Sequence, residues 1–125
     1  MRQPRTLWVS VGYACRGLSY AVTTQRNVRL HLGAGLSALA LASWLQVSVT
    51  EWLVVCLTVT LVLVAELLNT AMEAFVDVVS PAHREEAKII KDVAAGAVLA
   101  CCVSAVVVAG ALLLPRLLHQ LFRSP

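Results

Sequence analysis

Residues 53–77 read LVVCLTVTLVLVAELLNTAMEAFVD: an uncharged run from Leu53 to Ala65 that passes without a break into Glu66, Asn69, Glu73 and Asp77. The first half has Thr58 and Thr60 as its polar groups and reads as a helix crossing hydrocarbon. An ionised carboxylate at such depth costs at least about 2.5 kcal/mol even on the lenient insertion scale, so acids there must face protein, water or a cation. At about 100° per residue, positions 66, 69, 73 and 77 fall within an arc of about 80° and share one helix face. Polar seams that only glue helices together are usually built from small or neutral residues. A series of three acids without a base points instead to a functional site.

The rest of the chain supports a membrane setting. Of 125 residues, 59% are hydrophobic and only 14% charged, too apolar for an ordinary soluble domain and enough for only three or four helices. The expected class is an all-α membrane protein forming a single domain over residues 1–125. Apolar segments at about 30–47, 52–79 and 93–114 each approach the roughly 20 residues a spanning helix needs. Ahead of them, residues 5–26 place Leu7, Trp8, Val11, Leu18, Ala21 and Val22 among Arg5, Arg16 and Arg26, which predicts an amphipathic helix lying in the interface. The polar, arginine-bearing start lacks the compact apolar stretch of a cleavable signal, so the N-terminus is expected to be retained.

Basic residues set the expected orientation. Arg2, Arg5, Arg16, Arg26 and Arg29 precede the first span, Arg84, Lys88 and Lys91 lie between the second and third, and the QVSVTE link at 46–51 has neither Lys nor Arg. The N-terminus and the 80–92 loop should therefore be cytoplasmic, in a multi-pass protein of the cell inner (plasma) membrane. Arg116 and Arg123 pull weakly the other way, while Trp44 and Trp52 bracket the link as an aromatic belt would at the outer face. Measured from Trp52, Glu66 lies about 21 Å in, Glu73 about 31 Å and Asp77 about 37 Å. The acidic series thus begins inside the inner leaflet and ends at the cytoplasmic surface.

There, Lys88, Lys91 and Asp92 follow at i, i+3 and i+4 on the start of the next helix, with His83 just before it. Carboxylates beside lysines suit a Mg²⁺-bound polyphosphate, because hard oxygens hold the metal and ammonium groups meet the phosphates. A carboxylate deeper than the metal ligands, Glu66, is placed to accept a proton from a hydroxyl at the membrane boundary. No GxxxxGK[ST] loop occurs, so a P-loop enzyme is excluded. The physical reading is a phosphotransferase acting on a lipid alcohol.

The stretch AELLNTAMEAFVD, followed by SPAHREEAKIIKDVAAGAV, resembles the signature of the prokaryotic diacylglycerol kinase family of small integral membrane kinases. The likeness is collinear over most of the chain, including YACRGLSYAV and QRNVRLH, and LLNTAME, RNVRLH and KDVAAGAV resemble the undecaprenol kinase branch more than the diacylglycerol one. The resemblance implies ATP-dependent phosphorylation of undecaprenol or diacylglycerol, a place in phospholipid metabolism, and a homotrimer of three-spanning protomers with shared active sites. Carried over by motif, it makes Glu66 the catalytic base, with Asn69 in support, Glu73 a Mg²⁺ ligand, and Lys91 and Asp92 the nucleotide-binding pair. Asp77 falls with the nucleotide site, Tyr13 matches an aromatic that contacts the nucleotide, and His83 lies where the family has further nucleotide contacts.

One departure stands out: Gln25 occupies the position of a family glutamate that is the second protein ligand to metal, and no acid precedes Glu51. Gln25 still offers an amide oxygen, with one negative charge fewer. This keeps a catalytically silent membrane subunit open as an alternative. A cation carrier fits less well, since the acidic path stops at residues 53–65. The remaining features take bland readings. The four cysteines, at 15, 56, 101 and 102, have no metal-ligand spacing and read as small packing residues. His31 and His119 read as interfacial, and Gly33, Gly35, Gly96 and Gly110 as sites of close helix packing. The small, divided positive charge gives no sign of nucleic-acid binding.

Overall fold

The computed structural model describes residues 6–80 and 84–122. Among these the chain is helical, with α1 at Leu7–Thr24, α2 at Arg26–Trp44, α3 at Val49–Val79, α4 at Glu85–Leu112 and α5 at Leu114–Phe122. The α3 and α4 helices form the main pair, α2 packs on α3, and α1 touches chiefly α2.

Each boundary has a local cause. At the end of α1 the hydroxyls of Thr23 and Thr24 donate to the carbonyls of Ser19 and Tyr20, both at 2.8 Å. Nη1 of Arg29 donates to the carbonyls of Val22 and Thr23, both at 3.1 Å, and so satisfies groups that a helix terminus leaves open. Gln25, extended at φ −98° and ψ 117°, becomes the elbow between α1 and α2. At the other end of α2, Gln46 takes a left-handed φ of 49°, and Ser48 then caps α3. Its hydroxyl accepts from the Glu51 amide at 3.3 Å while the Glu51 carboxylate accepts from the Ser48 amide at 2.8 Å. Pro115, in the first turn of α5, suits a helix start because its missing N–H would go unused there.

Among the described residues, two stretches are long and apolar enough to cross a membrane, Val49–Val79 and Glu85–Phe122. The 31 residues of α3 extend about 46 Å, well beyond hydrocarbon about 30 Å thick, so its last turns reach past the core. The apolar segment expected at 93–114 is the continuation of a helix that already begins at Glu85, where Glu85 and Glu86 favour the N-terminus electrostatically. At 19 residues, α2 is long enough but falls short in apolarity, because its first turns carry Arg26, Arg29 and His31.

Packing depends on small residues. The buried core lies at the link end, where Ala42, Leu45, Val55 and Leu113 meet. A Cβ on Gly35 would overlap Cγ1 of Val59, so the α2–α3 approach at that level depends on a hydrogen at position 35. Near the link, Arg116 of α5 donates from Nη2 to both carboxylate oxygens of Glu51, at 2.9 and 2.7 Å. The arginine that opposes the expected orientation is thereby paired with an acid at its own end of the bundle.

Candidate functional site

The acidic face of α3 runs from buried to open. Glu66 is 3% exposed and Asn69 7%, Glu73 is half-buried, and Asp77 is exposed. This is the gradient expected of a polar stripe that starts under a helix–helix contact and climbs to the rim. Asn69 Nδ2 donates to Glu73 Oε1 at 3.0 Å, the i, i+4 contact that a helix allows. Its other amide atom, Oδ1, is buried and has no hydrogen-bond partner among the described residues.

At the rim, Lys91 Nζ donates to Asp77 Oδ1 at 2.5 Å and joins α4 to α3. A cleft of about 670 Å³ opens beside this pair, lined by Asp77, Ser80, Arg84, Lys88 and Lys91 among others. Three cations, Arg84, Lys88 and Lys91, against two carboxylates, Asp77 and Glu85, leave the lining net positive and suited to an anionic ligand. Lys88 and Lys91 were expected here; Arg84 was expected only to set orientation. Asp92, one position beyond Lys91, is exposed and makes no hydrogen bond or ion pair among the described residues. His83 lies outside the described residues.

Two expected site residues lie on α1 and at its C-terminal elbow. Tyr13 is on α1 with the Arg16 guanidinium 4.6 Å from its ring centre. Gln25 Nε2 donates to the Thr24 hydroxyl at 3.2 Å, and among the described residues no hydrogen bond links Gln25 to Glu73. Nor does any group of three or more His, Cys, Asp or Glu side chains among the described residues gather closely enough to hold a metal by itself. A cation at Glu73 therefore needs oxygens from elsewhere, and the orphaned Asn69 Oδ1 is one within the same helix turn.

His31, read from its sequence position as interfacial, lies against Glu66. Its Nε2 lies 3.9 Å from Glu66 Oε2, and its Nδ1 lies 4.0 Å from Cys102 Sγ on α4. A signal was present: Val28, Gly35 and Ala42 are the buried residues of α2, spaced by sevens, and position 31 falls on the same stripe. What faces that stripe is decided by the register of α2 against α3, which no local pattern encodes.

Residues 12–113 match the prokaryotic diacylglycerol kinase family. The chain is 50% identical over 113 residues to a diacylglycerol kinase of Synechocystis sp., a match covering 90% of this chain and 65% of that relative. It is 34% identical over 105 residues to the undecaprenol kinase of Bacillus subtilis, covering 84% and 85% of the two chains. With the diacylglycerol kinase of Escherichia coli it shares 33% identity over 98 residues, covering 78% and 80%. Both names expected from the sequence occur among these relatives, diacylglycerol kinase and undecaprenol kinase. With its acidic helix face, its cationic cleft and a match that runs through all four helices from α1 to α4, the chain belongs to the prokaryotic diacylglycerol kinase family.

Proposed function

We propose that this protein transfers the γ-phosphate of ATP to the hydroxyl of a membrane lipid alcohol, undecaprenol or diacylglycerol, at the cytoplasmic face of the inner membrane. The observation that carries this reading is the burial of Glu66 beneath a polar face that opens into a cationic cleft. A carboxylate at that depth suits a substrate whose hydroxyl sits at the membrane boundary, and the cleft above suits a polyphosphate. Family membership and the kinase names of the relatives support the same chemistry.

In this mechanism Glu66 accepts the proton of the lipid hydroxyl as its oxygen bonds to the γ-phosphorus, and the bond from that phosphorus to the β–γ bridging oxygen breaks to release ADP. Lys91, with Arg84 and Lys88 around it, meets the phosphate charge, and Asp77 holds Lys91 at the cleft. Asp92 and Tyr13 contribute to the nucleotide site. The hard oxygens of Glu73 and Asn69 Oδ1, with Gln25 in a lesser part, fit Mg²⁺ sharing its coordination with phosphate. Mg²⁺ held by these residues would supply neutralisation of the phosphate charge.

The active assembly in this reading is a homotrimer of protomers with three spans, α2 to α4, and with α1 on the cytoplasmic surface. The lack of a closely gathered metal-binding group of His, Cys, Asp or Glu among the described residues supports it, since a neighbouring protomer offers a way to complete the site. So do the exposed Leu53, Leu57 and Leu61 on α3 and Val103, Val106 and Val107 on α4.

The test is transfer of label from ATP in the presence of Mg²⁺ to undecaprenol or to diacylglycerol, each offered separately to purified protein. A phosphorylated lipid is expected in at least one arm, and Glu66→Gln should lower turnover by about 10² or more while ATP binding persists. Absence of product with every lipid alcohol overturns the activity. Near-normal turnover in Glu66→Gln overturns the base.

A further inference from the structure

We infer that His31 is a positioning residue for Glu66: its imidazole is the donor that anchors the buried carboxylate and aims it at the lipid hydroxyl. The inference rests on the reading of Glu66 as the base.

A buried carboxylate must be compensated by a donor or a cation, because its charge is otherwise very costly. The Glu66 side chain is 4% exposed, and His31 Nε2 is the ion-pairing group found against it, with the Cys102 thiol, a weak donor, nearby. The nearest amide on its own helix face is already engaged, since Asn69 Nδ2 donates to Glu73. The lysine cluster lies at the rim, with Lys91 committed to Asp77. The imidazole is the strongest donor left to serve the deep carboxylate, the Cys102 thiol being a weak one.

The ring is held from both sides. From α2 it reaches between α3 and α4, with Nε2 toward Glu66 and Nδ1 toward Cys102. One turn further along α2, Gly35 abuts Val59 on α3, so the two contacts run antiparallel and keep the helices close at the level of the ring. At 3.9 Å the His31–Glu66 contact is longer than a hydrogen bond. Catalytic hydrogen bonds are often long before substrate binds and tighten in the reacting complex. A closure of about 1 Å brings this one to normal length.

The experiment compares His31→Met, His31→Gln, Glu66→Gln and the double variant His31→Met/Glu66→Gln in the full chain reconstituted in bilayers. Methionine and glutamine are of similar length, but only glutamine presents an N–H near the place of Nε2. His31→Met is expected to lower kcat by about 10- to 100-fold, the scale of one hydrogen bond to a charged group, with the KM for MgATP unchanged. His31→Gln should recover most of that loss, and in the Glu66→Gln background His31→Met should cost nothing further. Near-normal kcat in His31→Met, no recovery with His31→Gln, or losses that simply multiply in the double variant overturns the proposal. So does loss of MgATP binding in both single His31 variants, which assigns His31 to folding alone. Near-normal turnover in Glu66→Gln instead removes the base reading itself, whereas an inactive Glu66→Gln beside an unimpaired His31→Met removes only the role of His31.

Discussion

Lys91 Nζ donates to Asp77 Oδ1 at 2.5 Å and so ties α4 to α3 where the cationic cleft opens. In the chain alone the lysine is engaged by a carboxylate, and an incoming polyphosphate must share it or take it over. The Lys91 side chain is 37% exposed and that of Asp77 68%, so the pair itself contributes little, of the order of 0.2–1 kcal/mol. Lys91→Ala should raise the KM for MgATP by about 10- to 100-fold, reflecting a lost charge-assisted contact with phosphate. Asp77→Asn should raise it by no more than about fivefold. Steady-state kinetics against MgATP check both; equal effects would make Asp77 a direct ligand rather than a support for Lys91.

Gln25→Glu tests the departure from the family pattern. Restoring a charge at the α1–α2 elbow should lower the Mg²⁺ concentration for half-maximal activity, with at most a modest change in the saturated rate. Magnesium titrations of both proteins decide the matter. A shifted midpoint supports an active enzyme with a tuned metal site, activity only in the variant supports a silent wild type, and identical curves place residue 25 away from the metal.

Gly35→Ala should destabilise the fold by about 1–3 kcal/mol, because the added methyl overlaps Val59 and a β-branched side chain in a helix has few rotamers to retreat into. Truncating the obstacle should restore part of the loss, so Gly35→Ala/Val59→Ala is expected to be more stable than Gly35→Ala alone. Thermal unfolding in detergent compares the three proteins. A fully stable Gly35→Ala would show that the helices part at little cost.

Orientation is open to chemical labelling. With the four native cysteines removed, a cysteine at Ser48 should react with an impermeant thiol reagent in intact cells and one at Ser80 should not, because basic residues flank the Ser80 end and avoid the link. The opposite pattern would put the cationic cleft on the side away from cytoplasmic ATP.

Much of the protein is legible along the chain because the forces involved are local. The apolar run at 53–65 requires a helix in hydrocarbon, and the spacing of Glu66, Asn69, Glu73 and Asp77 requires a shared face once that helix forms. Ser48 and Glu51 write their own cap, as the Ser-x-x-Glu pattern dictates. Lys91 falls within reach of Asp77 because a short connection between two long helices leaves them antiparallel neighbours. The partner of Glu66 was not legible. His31 lies 35 positions earlier, and it meets the carboxylate only because α2 packs antiparallel on α3 at the register that Gly35 and Val59 permit. Such a register is set by steric fit between side chains far apart in sequence, and periodicity within either helix says which face is buried but not what it meets. The same holds for Tyr13 and Gln25, which belong by pattern to the site on α3 yet stand on α1 and its elbow, so that their place in the site is a matter of tertiary and quaternary packing rather than of sequence.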